Sequence, residues 1–551
     1  MKMYAWYICV VVIALTHRFM LADEPVSTIR FMDVTESSKI QFQYENGSSD
    51  QYFIVETVGA GVCLFDSDND GLLDVYLVNG AALPGRTITP APTDRIFLNR
   101  GGMQFRDVTN QSRLVETSYG LGVTSADYDN DGFADLYISN FGTKRLMHNN
   151  GDGTFTNVTF KAGVADGEKF GAGVTFLDIE NDGDLDLFVG NYVIFDFERH
   201  RQLAPKSHPY PPGPKDFPAE KDSLFLNNGD GTFADVSRSS GIQNALGPSM
   251  GVVAADFDQD GDVDIFVGCD GAPNLYYQND GLGNFTEEAL LVGVAYDARG
   301  GANGSMGADV GDLDGDGRLD IVVTNYMDQL MELFRNSTLG FDDVSSQMKI
   351  GKSVKPHVNW GVSLADLDLD GDLDAFICNG HFLKHAKSIE PNTDYAVANC
   401  VMENLNNKLF RNAAQDAGTA LNHVASSRGC AFDDLDNDGD IDGVILNCDT
   451  LSQVLENRRE NKNHWIKLRL VGKDCNRSAV GAKVKTEIDG KVQYYEQING
   501  RGYQSYFGSV LTIGLGSNQR IDKLEILWPG DPKPTLLLDV NVDQEHFVVQ
   551  Q

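Results

Sequence analysis

One nine-residue pattern, D-x-[DE]-x-D-G-x-x-D, occurs seven times in this chain, and its recurrence limits the fold more than any other feature. The copies are DSDNDGLLD (66–74), DYDNDGFAD (127–135), DIENDGDLD (178–186), DFDQDGDVD (256–264), DLDGDGRLD (312–320), DLDLDGDLD (366–374) and DLDNDGDID (434–442), with starts 51 to 78 residues apart. Such a period demands a repeated supersecondary unit that buries its apolar face against its neighbours. The flanks repeat as well. A glycine precedes each copy by five residues: Gly61, Gly122, Gly173, Gly251, Gly307, Gly361 and Gly429. Five residues after the last Asp stands an Asn in six copies and Cys269 in the fourth. Farther on come an apolar pair, one residue and Asn: IFLN, LMHN, LFLN, YYQN, LFRN, LFRN (409–412) and VLEN. A Gly-rich turn and an F-x-D-V-T-like tail follow in five copies, loosely in the fourth, while the sixth has only LNHVA (421–425).

Each unit predicts four short strands: one entering the acidic loop, one leaving it, one holding the apolar pair, and one after the hairpin turn. Seven such units predict an all-β fold, a seven-bladed β-propeller. No segment keeps a 3.6-residue apolar period, which excludes a helical solenoid. The seventh unit stops at VLEN (454–457), without a fourth strand. FMDVT (31–35) is a fourth strand without a unit. Placing residues 29–35 on blade seven closes the ring and removes a sheet edge open to aggregation.

The loop residues suit a hard divalent cation, which takes six or seven oxygens at about 2.3–2.6 Å. Carboxylates at positions 1, 3 and 5, the carbonyl of position 7 and a carboxylate at position 9 supply them, and Gly at position 6 permits the turn. The last ligand lies between two strands, not at position 12 between helices, so the loop is a calcium hairpin and not an EF-hand. The candidate ligands in the first loop are Asp66, Asp68, Asp70, Asp74 and the Leu72 carbonyl. In the second they are Asp127, Asp129, Asp131, Asp135 and the Phe133 carbonyl; in the third Asp178, Glu180, Asp182, Asp184 and Asp186. The fourth offers Asp256, Asp258, Asp260, Asp262 and Asp264; the fifth Asp312, Asp314, Asp316, Asp320 and the Arg318 carbonyl. The sixth offers Asp366, Asp368, Asp370, Asp372 and Asp374; the seventh Asp434, Asp436, Asp438, Asp440 and Asp442. About seven Ca²⁺ sites are expected, the third weakened by the longer arm of Glu180. One copy alone would be ambiguous, because Asx-turns use the same residues without metal.

The charge balance agrees: 44 Lys+Arg against 80 Asp+Glu, formally −36. Nucleic acid and anionic membranes need basic surface, so neither is expected as a partner. The loops hold 32 of the acidic residues, so much of the acidity is site chemistry. Residues 1–22 carry the marks of a secretory signal: Lys2, an apolar run from Tyr4 to Leu15, and MLA (20–22). That run is too short to span a bilayer, so a secreted, extracellular protein is expected. Without Cys9, seven cysteines remain, with Cys378–Cys400 or Cys430–Cys448 as candidate local bridges and buried free thiols as the alternative. Sequons stand at Asn46, Asn110, Asn157, Asn284, Asn303, Asn336 and Asn476.

Beyond residue 460 the chain changes character. WIKLRLV, AKVKTEI, VQYYEQI, VLTIGLG, KLEILW and TLLLDV alternate like strands between Gly, Asn and Pro turns, which predicts a small β-sandwich. With NHWIKLRLVG (463–472), NRSAVGAKV (476–484), GRGYQS (500–505), GLG (514–516) and LEILWPG (524–530), this segment resembles the ASPIC/UnbV domain. The repeats resemble FG-GAP/VCBS propeller blades, and the combination is similar to the cartilage acidic protein family. The resemblance implies a secreted calcium-binding propeller. Animal members often add an EGF-like module after this point, and any function lodged there is not carried over. The expected organisation is a signal over 1–22, a propeller over 23–460 and a β domain over 461–551.

Insertions over 192–222 and 380–407 are predicted between strands two and three, on the face opposite the acidic loops. The first is aromatic, Pro-rich and locally basic (Arg199, Arg201, Lys206, Lys215). Long loops on a rigid scaffold tend to carry function, so these are expected to flank the site of an extracellular protein or glycan ligand; a simple cap over the channel is the alternative. GPSMG (247–251) matches a nucleophile elbow without the helix that must follow. His381 and His385 lack the helix a zinc pair would need, and GKS (351–353) lacks the first Gly of a P-loop. A non-enzymatic adhesion or matrix protein is expected, with a lectin-like propeller or a polysaccharide-processing enzyme as alternatives.

Overall fold

The computed structural model describes residues 26–551 except 50, 208 and 539; the signal reading lies outside them. Seven antiparallel sheets form around one axis. Blade one runs Val62–Phe65, Asp74–Leu77, Arg95–Asn99 and Phe105–Asp107, and blades two to six repeat that order. Blade seven runs Val424–Asp433, Asp442–Cys448 and Gln453–Asn457, and its fourth strand is Phe31–Asp33. Phe31 pairs with Asn457 and Asp33 with Leu455.

The same local grammar fixes the fourth strands of blades one, two, three, five and seven. In blade one the Thr109 N–H donates to Asp107 Oδ1 at 3.0 Å, and Thr109 Oγ1 accepts from the Ile96 N–H of strand three at 3.1 Å. At the far end of the chain, the Thr35 N–H donates to Asp33 Oδ1 at 3.0 Å and Thr35 Oγ1 accepts from Val454 N–H at 2.9 Å. FMDVT thus carries, in its own five residues, the bonds that make it a strand four. Phe31 then buries its ring edge-on to Phe376 and Phe432, at 6.2 and 6.0 Å. A single helical turn follows in five blades, at Thr35–Ser38, Thr109–Ser112, Thr159–Ala162, Ala289–Val292 and Ser345–Met348, an element the sequence pattern had not suggested.

The recurrent glycines line the axis. An added Cβ at Gly122, Gly173, Gly307 or Gly361 would stand 2.3 to 2.6 Å from a carbonyl of the next blade's inner strand. Only glycine lets seven inner strands approach this closely.

Blade six departs from the expected register. Its third strand is Cys400–Asn404, and LFRN supplies the fourth, Phe410–Asn412. LNHVA is no strand four; it enters blade seven. The physical reason is the Asn404 N–H, which donates to Asp374 Oδ1 as its counterpart does in every blade. The blade-six insertion therefore ends before Cys400, and its Val397–Ala398 pairs instead with the inner strand of blade seven. The blade-three insertion contains a helix, Phe197–Ser207, where a loop was expected. All seven cysteines are buried and free, so neither candidate bridge forms. Asn336 donates its amide to the Phe257 and Leu319 carbonyls, Asn303 to Glu332 and Asn476 to the Val480 carbonyl, all in buried positions. These three sequons cannot carry a glycan in this fold.

The C-terminal part stacks a three-stranded sheet (Val510–Gly516, His464–Val471, Gln544–Val549) on a four-stranded one (Lys491–Glu496, Lys483–Ile488, Lys523–Leu527, Thr535–Leu537). Ile466, Leu468, Val484, Ile513, Leu524 and Trp528 form their common core. The last strand, parallel to its neighbour, was not foreseen.

Candidate functional site: acidic loops and the opposite face

All seven acidic loops fold alike. The position-1 carboxylate accepts from the N–H groups of positions 5 and 6; for Asp66 these are Asp70 at 3.1 Å and Gly71 at 3.0 Å. The position-5 carboxylate accepts from the position-7 N–H, as Asp70 does from Leu72 at 2.9 Å. Position 4 takes a left-handed conformation at Asn69, Asn130, Asn181, Gln259, Leu369 and Asn437, and Gly315 fills it in loop five. The carboxylates of positions 1, 3 and 5 converge: ligand oxygens of Asp66, Asp68 and Asp70 lie within 4.8 Å of one another, as do those of Asp256, Asp258 and Asp260, and of Asp312, Asp314 and Asp316. In loop two Asp127, Asp129 and the position-9 Asp135 meet the same limit.

Position 9 also does structural work. Asp74 accepts from the N–H groups of Asn99 and Ser67, at 2.8 and 3.1 Å, and its counterparts in the other loops accept likewise from the strand-three Asn. That Asn has a second role. Its amide donates to the position-2 carbonyl of the preceding loop: Asn149 to Ser67 at 2.9 Å, Asn227 to Tyr128 at 2.9 Å, and Asn99 to Leu435 at 2.7 Å, across the ring closure. The recurrent Asn of the apolar pair is therefore an inter-blade stitch. Its repetition was legible, but its partner lies 79 to 336 residues away in other loops of the same kind and could not be read from spacing.

Burial dominates the loop acidities. It raises Asp74 and Asp135 to about 7 and Asp264 and Asp320 to about 8, against the partial relief of their hydrogen bonds. At position 1 it raises Asp127 and Asp312 to about 7 and Asp178 to about 6, with neighbouring loop carboxylates adding to the rise. Burial and Asp182 together raise Glu180 to about 7. The position-7 carboxylates turn away from their own loops: Asp184 accepts from Asn130, Asp262 from Asn181, and Asp440 pairs with Arg459. One donor was missed in the sequence. His148, just before the strand-three Asn, holds Nδ1 3.3 Å from Asp129 and 3.2 Å from Asp135.

The C-terminal domain sits on this face and reaches into the loops. Lys467 Nζ lies 3.0 Å from Asp434 and Arg469 3.6 Å from Asp66, while Lys483 pairs with Asp256 and Arg477 stands 3.8 Å from Asp127. Its loop from Gln497 to Phe507 enters the central channel. Asn499 accepts from Phe176 N–H and donates to the Ser125 carbonyl; Gly502 exchanges two backbone bonds with Ala308; Tyr506 bridges to Val62 and Leu64. Arg501 forks onto the buried Asp309 at 2.7 and 2.8 Å. Tyr503 is fully buried against Trp360, 5.4 Å between centroids, and its hydroxyl donates to the Val58 carbonyl. GRGYQS is thus the plug of the propeller.

At the other end of the channel the two insertions meet: Tyr210 donates its hydroxyl to Glu390. Phe195, Phe197 and His200 pack on Phe53, closing that end with aromatic edges. His381 is fully buried with Nδ1 accepting from Leu383 N–H, and no zinc pair forms with His385. Ser249 is a buried strand residue that donates to Asp222, not an exposed nucleophile.

Comparison with known proteins follows this division. The FG-GAP-like repeat profile matches residues 66–138, 127–189, 217–267, 256–323 and 312–377, and the ASPIC and UnbV profile matches 472–551. Human cartilage acidic protein 1 is 27% identical over 302 residues, 52% of this chain and 40% of that protein. The Xenopus tropicalis protein of the same name is 24% identical over 497 residues, 85% of this chain and 70% of its own length. The chain therefore spans about two fifths of the human relative it matches. An Agrocybe aegerita protein that recognises non-reducing terminal N-acetylglucosamine aligns at 17% identity and a TM-score of 0.39, over 64% of this chain and 79% of its own. A likeness of that depth carries no argument about ligand.

Proposed function

This chain belongs to the FG-GAP-like repeat family, and from that premise we propose that it is a secreted, non-enzymatic calcium-binding propeller that engages an extracellular partner. The observation that carries the reading is the uniform loop geometry. In every loop, backbone N–H groups hold the carboxylates of positions 1, 5 and 9, and in the loops named above the position-3 oxygens lie within 4.8 Å of their neighbours. Positions 1, 3, 5 and 9 with the position-7 carbonyl would hold Ca²⁺, which supplies charge neutralisation there. Seven ions would take the formal charge from −36 to about −22. Without them, like charges crowd at each loop, which disfavours ionisation.

The recognition surface is then the opposite face, where the insertions stand free of both calcium loops and C-terminal domain. The buried carboxylates are held by backbone N–H groups, by hydroxyl and amide side chains, or by Arg501, Lys467 and Lys483, which supports binding over catalysis. Metal analysis of the dialysed protein should find several Ca²⁺ per chain, and EDTA should lower the melting temperature. An unchanged melt in EDTA, with less than one Ca²⁺ bound, overturns the reading.

A further inference from the structure

The insertions roof a cavity of about 350 Å³ at the channel end opposite the acidic loops. That volume lies at the lower end of ligand-pocket sizes. Met250, Met306, Ile54, Val58 and Trp360 line its apolar part, and the rings of Tyr192, Tyr326 and Phe382 stand beside them. One carboxylate is built into it. Asp270 follows the second strand of blade four, and the buried Tyr192 donates its hydroxyl to Asp270 Oδ2 at 2.6 Å. The roof, Tyr210 to Asp216, adds Asp216, while Glu390 sits beside Tyr210 at the edge. The one cation on the roof is Lys215, an exposed side chain that approaches Gly271; burial raises the Asp270 carboxyl to about 6, against the opposing effects of the Tyr192 hydroxyl and of Lys215.

We propose that this cavity binds an organic cation, the ammonium or guanidinium end of a lysine or arginine side chain presented by a basic segment of a protein partner. The proposal rests on the partner-binding reading above and names its chemistry. Ring faces attract cations, most strongly where water is excluded. Asp270 supplies the opposite charge at a fixed place, oriented by Tyr192. Lys215, on the segment that closes the cavity, already places an ammonium beside Gly271, the residue next to Asp270. A neutral or anionic ligand would cover Asp270 with the Tyr192 hydroxyl as its one direct side-chain partner among the described residues and add no opposite charge. Even with seven Ca²⁺ bound, a formal charge of about −22 would steer a basic partner toward the molecule before docking.

The test uses the full calcium-loaded chain and two probes, N-acetyl-lysine amide and N-acetyl-norleucine amide, which differ only in the ammonium group, read by ligand-observed NMR. The lysine probe should bind about tenfold more tightly than the norleucine probe. Asp270→Asn should remove that preference, whereas Lys215→Met should strengthen lysine binding about threefold by removing the resident competitor. Equal binding of both probes, or an Asp270→Asn variant that keeps the preference, overturns the proposal in favour of an apolar pocket. Weaker binding in Lys215→Met overturns it in favour of an anion site. A melting curve checks that each variant folds, and Lys215→Met keeps the test alive if Asp270→Asn does not. If excision of 200–216 abolishes partner capture while Asp270→Asn leaves it intact, the cation site fails and the partner face stands. If both leave capture intact, the partner face fails as well.

Discussion

The two ends of the central channel are built by opposite rules. At one end the chain repeats itself seven times, with the same carboxylates, the same asparagine stitch and the same turn. At the other no two blades contribute alike: blade three sends a helix and a Pro-rich strap, blade six a strand for its neighbour, blade four a carboxylate. Repetition serves closure, because every inter-blade contact must be made by each pair of neighbours. Irregularity serves recognition, because a ligand needs one particular set of groups in one place. Stability is therefore expected to concentrate at the acidic end and at the seams, and specificity at the other.

The largest expected effect is at the seam between chain ends. Removing residues 26–35 strips blade seven of its fourth strand and should abolish a single cooperative unfolding transition in calorimetry. Phe31→Ala, which removes the buried ring packed against the Phe376–Phe432 pair, should cost about 3–5 kcal/mol. A truncated chain that melts like the intact one would break the comparison.

Next comes the plug. Arg501→Ala leaves Asp309, fully buried, without its forked partner, at a cost of about 3–5 kcal/mol in chemical denaturation. A loss below about 1 kcal/mol would mean that the C-terminal loop merely rests in the channel.

Chelation follows, and its pH dependence has a definite sign. Position-9 carboxyls raised to about 7 or 8 bind protons in the folded, metal-free chain that the unfolded chain has released above its ordinary value near 3.8. Metal-free stability therefore falls as pH rises from about 4 to 8. Calcium needs the ionised carboxylates and contributes about 1.4 kcal/mol per site at ten times its dissociation constant. The drop in melting temperature on adding EDTA should thus be larger at pH 8 than at pH 5. The opposite trend would show that the loops are not the metal sites.

The smallest effect is expected on the irregular face. Lys215→Met lies on an exposed roof and should change stability by less than about 0.5 kcal/mol while altering ligand binding. A large loss there would blur the division between the two ends.

Much of this was legible before any coordinates. Strand count, acidic loops and the orphan FMDVT all follow from residues close together in the chain: alternation, turn glycines, and an Asp and a Thr two residues apart that make their own bonds. The register of blade six was misread for a definite reason. LFRN carries the apolar pair and the Asn of a third strand, and only the bond from Asn404 to Asp374 shows that CVMEN holds that place. His148 was invisible for a similar reason, since its carboxylate partners come from a different strand pair of the blade.

The sequence by itself determined the blades, because each is specified by contacts a few residues long, and it determined their number, because the loops can be counted. Only the tertiary structure decided what seals the ring's axis and where the two insertions meet. Asn499, Arg501 and Tyr503 find their partners 137 to 445 residues away, on inner strands of the blades and, for Tyr503, on the helical turn Ile54–Val58. No local pattern encodes such a fit. It exists only once seven inner strands, each thinned by a glycine, have closed around a channel narrow enough for one loop to fill.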